Sequence, residues 1–438
     1  MITTVEEAVN WIHGRRPFGT RPGLERVKAL LAKVGNPEQT FPSIHVAGTN
    51  GKGSTVSYLR ALLAETGQNV GTFTSPFIEC FNERIQYNQQ FISDETIVSL
   101  VNQLMPYVEE LDTTEQLQGI TEFEVLTVMA FLYFAQQQVD IAVIEVGLGG
   151  LYDSTNVVDP VVSVITTIGL DHVDILGTTL TEIATQKAGI IKPQRPVITG
   201  NIALEALQVI SKQAQIQAAP LYQFGKDYQV TYHTPDSEWG EIFSFQFADS
   251  QLAKLHTPLL GRHQTENAGV ALAAFFVYCQ QQGIVPTAKM IRQALKKTYW
   301  PARMERISIE PCILLDGAHN EHAMTRLVEN LQQDFPQQTI HVLFSAIKTK
   351  DLDGMIQQLL TIPRVDILVT TFDFPKAIAL TEEIQQINPK RVSLVSLWQL
   401  GLAELLEKMN ADDILLVTGS LYFVSQVRQL IMAMKETQ

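Results

Sequence analysis

The segment IHVAGTNGKGSTVSYLRALL, residues 44–63, gathers glycines, a lysine and hydroxyls where an apolar strand gives way to a helix. Gly48, Gly51 and Gly53 can take backbone angles closed to other residues, which turns consecutive N–H groups, with Asn50 in the same turn, towards anionic oxygens. Lys52 would reach the outer phosphates of a nucleoside triphosphate, and Ser54 or Thr55 would cap the helix near a metal. The spacing is a variant: the usual G-x-x-x-x-G-K-[ST] needs a glycine at Val46 and a hydroxyl at Gly53, where this chain reads G-T-N-G-K-G-S. A glycine-rich turn with an exposed lysine is the bland alternative, but the flanking strand and helix favour a nucleotide site. Two further turns carry chemistry. Glu145 ends the apolar run IAVIEV before Gly147, where a carboxylate faces the crevice at strand C-termini. Asp316-Gly317-Ala318-His319-Asn320 is a strand-to-helix turn with Asn320 as its N-cap.

The elements that must position these residues alternate. Short β-branched runs at 44–47, 141–146, 161–166, 313–316, 341–345, 366–371 and 414–419 are separated by helical apolar spacing at 55–64, 122–136, 265–279, 321–332 and 421–434. The pattern predicts an α/β chain with mainly parallel sheets. Between about 220 and 260 it breaks into antiparallel hairpins at an edge, and a fresh β/α series starts after TYWPARME. We place a phosphate-loop domain at 1–297 and a smaller Rossmann-like α/β domain at 298–438.

A net charge of -14 and no basic cluster beyond Arg15–Arg16 and Arg21 argue against a nucleic-acid surface. Cys80, Cys279 and Cys312 are odd in number and never C-x-x-C, which points to a reducing cytoplasm without disulfide or zinc frameworks. The start MITTVEEAVNWIH lacks a signal peptide, and the longest apolar stretch, Val125 to Ala135, is too short to cross a bilayer.

HVAGTNGKGST resembles the signature of the folylpolyglutamate synthase and dihydrofolate synthase family of the Mur ligase superfamily. Further matches follow in order: TSPFIECFNERI, VIEVGLGGLYDSTN, GLDHVDILG, IATQKAGIIK, GRHQTENAGVAL, PARME, LDGAHNEHA and, more weakly, VTGSLYF. The resemblance implies an ATP-dependent carboxylate–amine ligase, a monomer that adds L-glutamate to folate or dihydropteroate by way of an acyl phosphate. Activating a carboxylate with ATP brings negative groups together, and unit charges ~4 Å apart repel by about 4 kcal/mol at an effective dielectric near 20, so Mg²⁺ is expected, as a pair of ions. The resemblance implies that Ser75, Glu145 and His172 hold magnesium, and that Lys187 is carbamylated into a further ligand. A cationic ammonium beside Mg²⁺ would be repelled, and the same field exposes a neutral amine able to take up CO₂. Lys187 also reads as an ordinary helix-surface lysine, the class in which Lys192 is left.

The resemblance further implies that Asn267, Arg303 and Asp316 contact ATP, with His319 close to the phosphates; the alternative readings are a helix polar group for Asn267 and a linker charge for Arg303. Thr121 to Glu124, and Tyr152, Asp153 and Ser154, match pterin-side contact stretches, with Phe123 reading equally as a stacking aromatic or a helix-core side chain. Where many dihydrofolate-making members carry Arg in GGRLDATN, this chain reads GGLYDSTN. That departure leans towards polyglutamylation of a reduced folate without excluding a bifunctional enzyme. The competing readings are a muramyl-peptide ligase, disfavoured by the extra Gly53 and the early loop, and a P-loop ATPase switch, which would turn over ATP without an acceptor.

Overall fold

A computed structural model describes residues 1–15, 23–237 and 239–436, so Arg16 and Arg21 lie outside the described residues. The chain divides into two compact units. One comprises Met1–Tyr232, Phe243–His256 and Thr265–Thr298; the other comprises His233–Ile242, Thr257–Gln264 and Tyr299–Gln438. Segments 233–242 and 257–264 thus group with the second unit although they precede residue 298.

The first unit is built on strands β1 (Ser43–Ala47), β2 (Val70–Phe73), β3 (Ile85–Tyr87), β4 (Gln90–Phe91), β5 (Ile141–Glu145), β6 (Val162–Ile165), β7 (Val197–Thr199) and β8 (Leu221–Gln223). They form one sheet in the order β4-β3-β2-β5-β1-β6-β7-β8. The runs SIHVA, IAVIE and VSVI are buried throughout and pair in parallel at the centre, as near-continuous apolar strands covered on both faces must. Because Val46 pairs with Glu145 and Ala47 with Ile165, the turns after β1, β5 and β6 come out along one edge. Among the described strands of this sheet only the pairs β2–β3 and β3–β4 are antiparallel, so β3 alone runs against the rest. The expected hairpin region starts later than the sequence suggests: β8 pairs in parallel with β7, and the rest forms a separate sheet, β9 (Tyr228–Pro235), β10 (Glu241–Phe247) and β11 (Ser250–Thr257), in the order β11-β10-β9.

The apolar stretch from Val125 is core. It lies in the helix Glu122–Gln137, whose residues from Phe123 to Phe134 are all buried. Among the described residues no helix is long and apolar enough to cross a membrane.

The second unit carries β12 (Glu305–Ser308), β13 (Cys312–Leu315), β14 (Ile340–Phe344), β15 (Val365–Thr370), β16 (Val392–Val395) and β17 (Ile414–Thr418), ordered β12-β13-β17-β14-β15-β16. All pairs are parallel except β12 with β13, giving a Rossmann-like sheet with one antiparallel edge strand.

Candidate active site

The turn after β1 is held open by two glycines. Gly48 has φ 152° and Gly51 φ 85°; a Cβ would fall 1.8 Å from Thr166 Oγ1 at Gly48 and 2.3 Å from Asn267 Oδ1 at Gly51. Asn267, buried on the helix Arg262–Gln282, is therefore brought directly against the loop. Gly53 differs from expectation: it sits in the first turn of the helix Lys52–Ala64 and is not among the positive-φ glycines. Ser54 and Thr55 do not cap the helix either, because Gly51 is the N-cap and both hydroxyl residues are buried within the helix. The Thr55 hydroxyl is buried without a hydrogen-bond partner. Sequence reasoning misses Thr166 and Thr167, which directly follow β6: both donate to the Asn50 carbonyl, at 2.6 and 3.1 Å, and Thr167 Oγ1 accepts from the Asn50 N–H. Their signal was their place at the C-terminal end of a central strand.

Lys52 folds over its own loop, donating to the carbonyls of Gly48 at 3.0 Å and Thr49 at 3.2 Å. Lys187, on the helix Leu180–Ala188, donates to the same Gly48 carbonyl at 3.0 Å and is buried, which rules out the surface-lysine reading. Burial first, and the neighbouring Lys52 second, push its pKa down to about 7, against the pull of Asp171 and Asp153. Lys192, left as an ordinary surface lysine, is also partly buried and donates to the Asn156 carbonyl. Both Lys52 and Lys187 line a small pocket of about 40 Å³, walled by Gly48, Val146–Gly149, Asp171 and His172. Asp171 is the functional residue most visibly missed, since it adjoins His172 in GLDHVD. Its Oδ1 accepts the His172 N–H at 3.0 Å, holding that residue at φ 48° with its side chain about half exposed.

Glu145 is buried at the end of β5, and its Oε2 accepts the Ser75 N–H at 3.2 Å. Magnesium prefers oxygen donors and commonly completes its shell with water and phosphate. The Glu145 carboxylate and the Ser75 hydroxyl meet that preference, and the buried, unpartnered Thr55 hydroxyl in the loop helix suits the same chemistry. Lys187 meets it only as a carbamate. Among the described residues no three His, Cys, Asp or Glu side chains converge as a metal cage, so substrate phosphates and water would supply the remaining donors.

The stretches matched to an acceptor divide by burial. Thr121 caps the helix Glu122–Gln137 and makes a reciprocal capping box with Glu124. The Glu124 carboxylate also pairs with buried Arg26, at 3.1 Å and 3.0 Å to its two oxygens, so both of its oxygens are engaged by the fold. Phe123 is a core side chain, stacked on Phe73 at 5.7 Å and filling the space a Cβ on Gly147 would need. Tyr152 is exposed, whereas Ser154 and Asp153 are buried. Asp153 accepts from the N–H groups of Leu148 at 2.8 Å and Thr155 at 3.0 Å, and burial raises its pKa.

In the second unit, the Asp316 carboxylate accepts from the N–H groups of Met304 and Ala318, each at 2.8 Å; burial raises its pKa while Arg303 opposes the rise. Arg303 donates to the Ala302 carbonyl, and its guanidinium lies where a Cβ on Gly317 would fall. His319 Nδ1 donates to the Gly317 carbonyl at 2.7 Å, which places a proton on Nδ1. Asn320 caps the helix Glu321–Asp334 through Oδ1 to the Ala323 N–H, as its place before that helix predicts.

Residues 46–275 match the model of the Mur ligase middle domain, and 302–421 that of the Mur ligase glutamate ligase domain. The chain is 44% identical to the dihydrofolate synthase/folylpolyglutamate synthase of Bacillus subtilis, covering 98% of this chain and 99% of that protein. It is 38% identical to the folylpolyglutamate synthase of Lacticaseibacillus casei, with the same coverage. Solved structures agree: the apo form of the L. casei enzyme superposes with a TM-score of 0.88 at 36% identity, over 98% of this chain and 100% of that one. The Mycobacterium tuberculosis folylpolyglutamate synthase complexed with ADP superposes with a TM-score of 0.90 at 29% identity, over 98% of each. Sequence motifs, a two-part α/β fold and a lysine-lined phosphate turn thus converge, and the chain belongs to the Mur ligase family, in its folylpolyglutamate synthase and dihydrofolate synthase branch.

Proposed function

We propose that the chain is an ATP-dependent ligase that joins L-glutamate to a folate through an acyl phosphate. The observation that carries this reading is the pair Lys52 and Lys187 on one loop carbonyl inside the pocket of the phosphate turn. A solved folylpolyglutamate synthase complex with both AMPPCP and folate, 36% identical to this chain, supports the choice of substrates.

ATP seats on the Gly48–Thr55 turn with Asn267 behind it. A carboxylate oxygen of the acceptor attacks the γ-phosphorus, the bond to the ADP oxygen breaks, and an acyl phosphate forms; Lys52 offsets charge on the transferring group. The amine of glutamate then attacks the acyl carbon, the carbon–oxygen bond to phosphate breaks, and the amine proton leaves with solvent or base. Magnesium, when bound at Ser75, Glu145, His172 and a carbamylated Lys187, would screen the phosphates. Carbamylation requires the neutral Lys187 amine to add to CO₂ and lose a proton, and a pKa of about 7 leaves a large neutral fraction near neutrality. Arg303, Asp316 and His319 are assigned to the nucleotide, and Tyr152, Asp153 and Ser154 to the acceptor. Leu151 and Tyr152 in GGLYDSTN favour polyglutamylation of a reduced folate over dihydropteroate as the main reaction.

ADP release measured with glutamate and either a reduced folate or dihydropteroate, with the product weighed by mass spectrometry, tests the reading. A gain of one glutamyl residue on the folate supports it; ADP release without any adduct favours an ATPase switch and overturns it.

A further inference from the structure

His45, in the middle of β1, takes no part in the chemistry above, yet its ring is wholly buried three residues before the phosphate turn. Nε2 lies 2.8 Å from Thr155 Oγ1. The Thr155 hydroxyl donates to Asp153 Oδ1, so its single proton is committed and the imidazole must donate to it from Nε2. Nδ1 is then bare, and it is buried without a partner. A neutral ring is what burial enforces, with the ring pKa pushed down to about 3 by burial and Lys192 adding to it. At the other end of the chain, Asp153 Oδ2 receives the Leu148 N–H at 2.8 Å. Leu148 and Gly147 form one wall of the pocket that holds Lys52 and Lys187. That wall has little slack, because a Cβ on Gly147 would meet Phe123 Cζ at 2.5 Å and Asp153 Oδ2 at 3.1 Å.

A continuous line of hydrogen bonds therefore runs from the strand that ends in the phosphate turn to the loop that carries Tyr152–Ser154. We propose that His45 and Thr155 are positioning residues for the ligase reaction: through Asp153 they hold the 147–149 wall and the 152–154 stretch in the geometry that seats the acceptor. The inference rests on the proposed ligase reading. Its physical basis is that a buried carboxylate needs donors to stay ionised and fixed. Thr155 supplies two of those donors, its N–H and its hydroxyl, and only the hydroxyl depends on the side chain.

The test uses the whole chain with Thr155→Val, which keeps the shape and removes the hydroxyl, and Thr155→Ser, which restores it. Loss of one hydrogen bond to a charged group should raise the acceptor KM about tenfold, leave the KM for ATP unchanged, and be reversed in Thr155→Ser. A valine variant that lowers thermal stability but leaves the acceptor KM unchanged, or that shifts both KM values together, overturns the proposal. Nitrogen NMR of the imidazoles gives an independent reading without turnover: His45 protonated on Nε2 alone supports the chain, and protonation on Nδ1 overturns it. Failure of the wild-type chain to ligate any folate would instead sink the ligase reading, leaving the NMR result to decide the hydrogen-bond chain.

Discussion

Lys52 and Lys187 donate to one and the same acceptor, the carbonyl oxygen of Gly48, each across 3.0 Å. Burial first, and the neighbouring Lys52 ammonium second, disfavour the charged form of Lys187. The neutral Lys187 amine is the form that the proposed carbamate requires.

Stripping CO₂ from the assay should lower kcat about tenfold or more, with recovery on adding bicarbonate, by analogy with the loss of a metal-orienting group. The same residue sets a pH dependence of stability. Its folded pKa is about 7 against an ordinary 10.5, so between those values the unfolded chain holds a proton that the folded chain has shed, and stability rises with pH. In CO₂-free buffer, Lys187→Met should raise Tm over wild type at about pH 6, with the gain shrinking by about pH 9 as the penalty fades. An equal gain at both would contradict the assignment.

Gly51 and Asn267 are coupled by contact. Gly51→Ala should cost about 2–3 kcal/mol, combining left-handed strain with collision against the amide. In an Asn267→Ala background the cost should fall towards the roughly 1 kcal/mol of backbone strain alone. Denaturant unfolding of the four proteins in the cycle measures the difference.

Glu124 should behave as a fold residue. Glu124→Ala leaves Arg26 buried without its carboxylate and removes the capping box, a loss of about 3–5 kcal/mol. The Tm should drop sharply, while the acceptor KM of the folded fraction stays near wild type; a selective rise in acceptor KM at unchanged stability would return Glu124 to the ligand set.

How much could be read before the structure follows from burial. The central strands announce themselves as unbroken apolar runs because both faces are covered, whereas VGTF at β2 and the polar edge pair β3 and β4 are too short and mixed to stand out. Around the site, the phosphate turn was legible from spacing, but the threonines that hold it follow β6, more than a hundred residues away, and no local pattern joins them. The T-x-x-E of Thr121 and Glu124, matched in the sequence to an acceptor stretch, also forms the capping box that starts its helix. Lys187 looks like any helix lysine until packing buries it.

His341, buried at the start of β14 in the second unit, sits between two carboxylates. Asp366 Oδ1 lies 2.8 Å from Nδ1, as a charge contact rather than an aligned bond, and Asp413 Oδ2 lies 3.3 Å from Nε2. Asp366, with Asp413 adding, raises the imidazole pKa against the effect of burial. A raised folded pKa stabilises below the ordinary histidine value and is lost as pH rises through the folded one. His341→Gln should therefore destabilise most near about pH 6 and least in mildly alkaline buffer, read as Tm against pH.

The central claim is that the acceptor carboxylate is phosphorylated before the amine arrives. Ligation run with ¹⁸O in the acceptor's reacting carboxylate and unlabelled ATP tests it most directly. One labelled oxygen in each inorganic phosphate released is the expected result, and phosphate free of label alongside normal amide formation would contradict it.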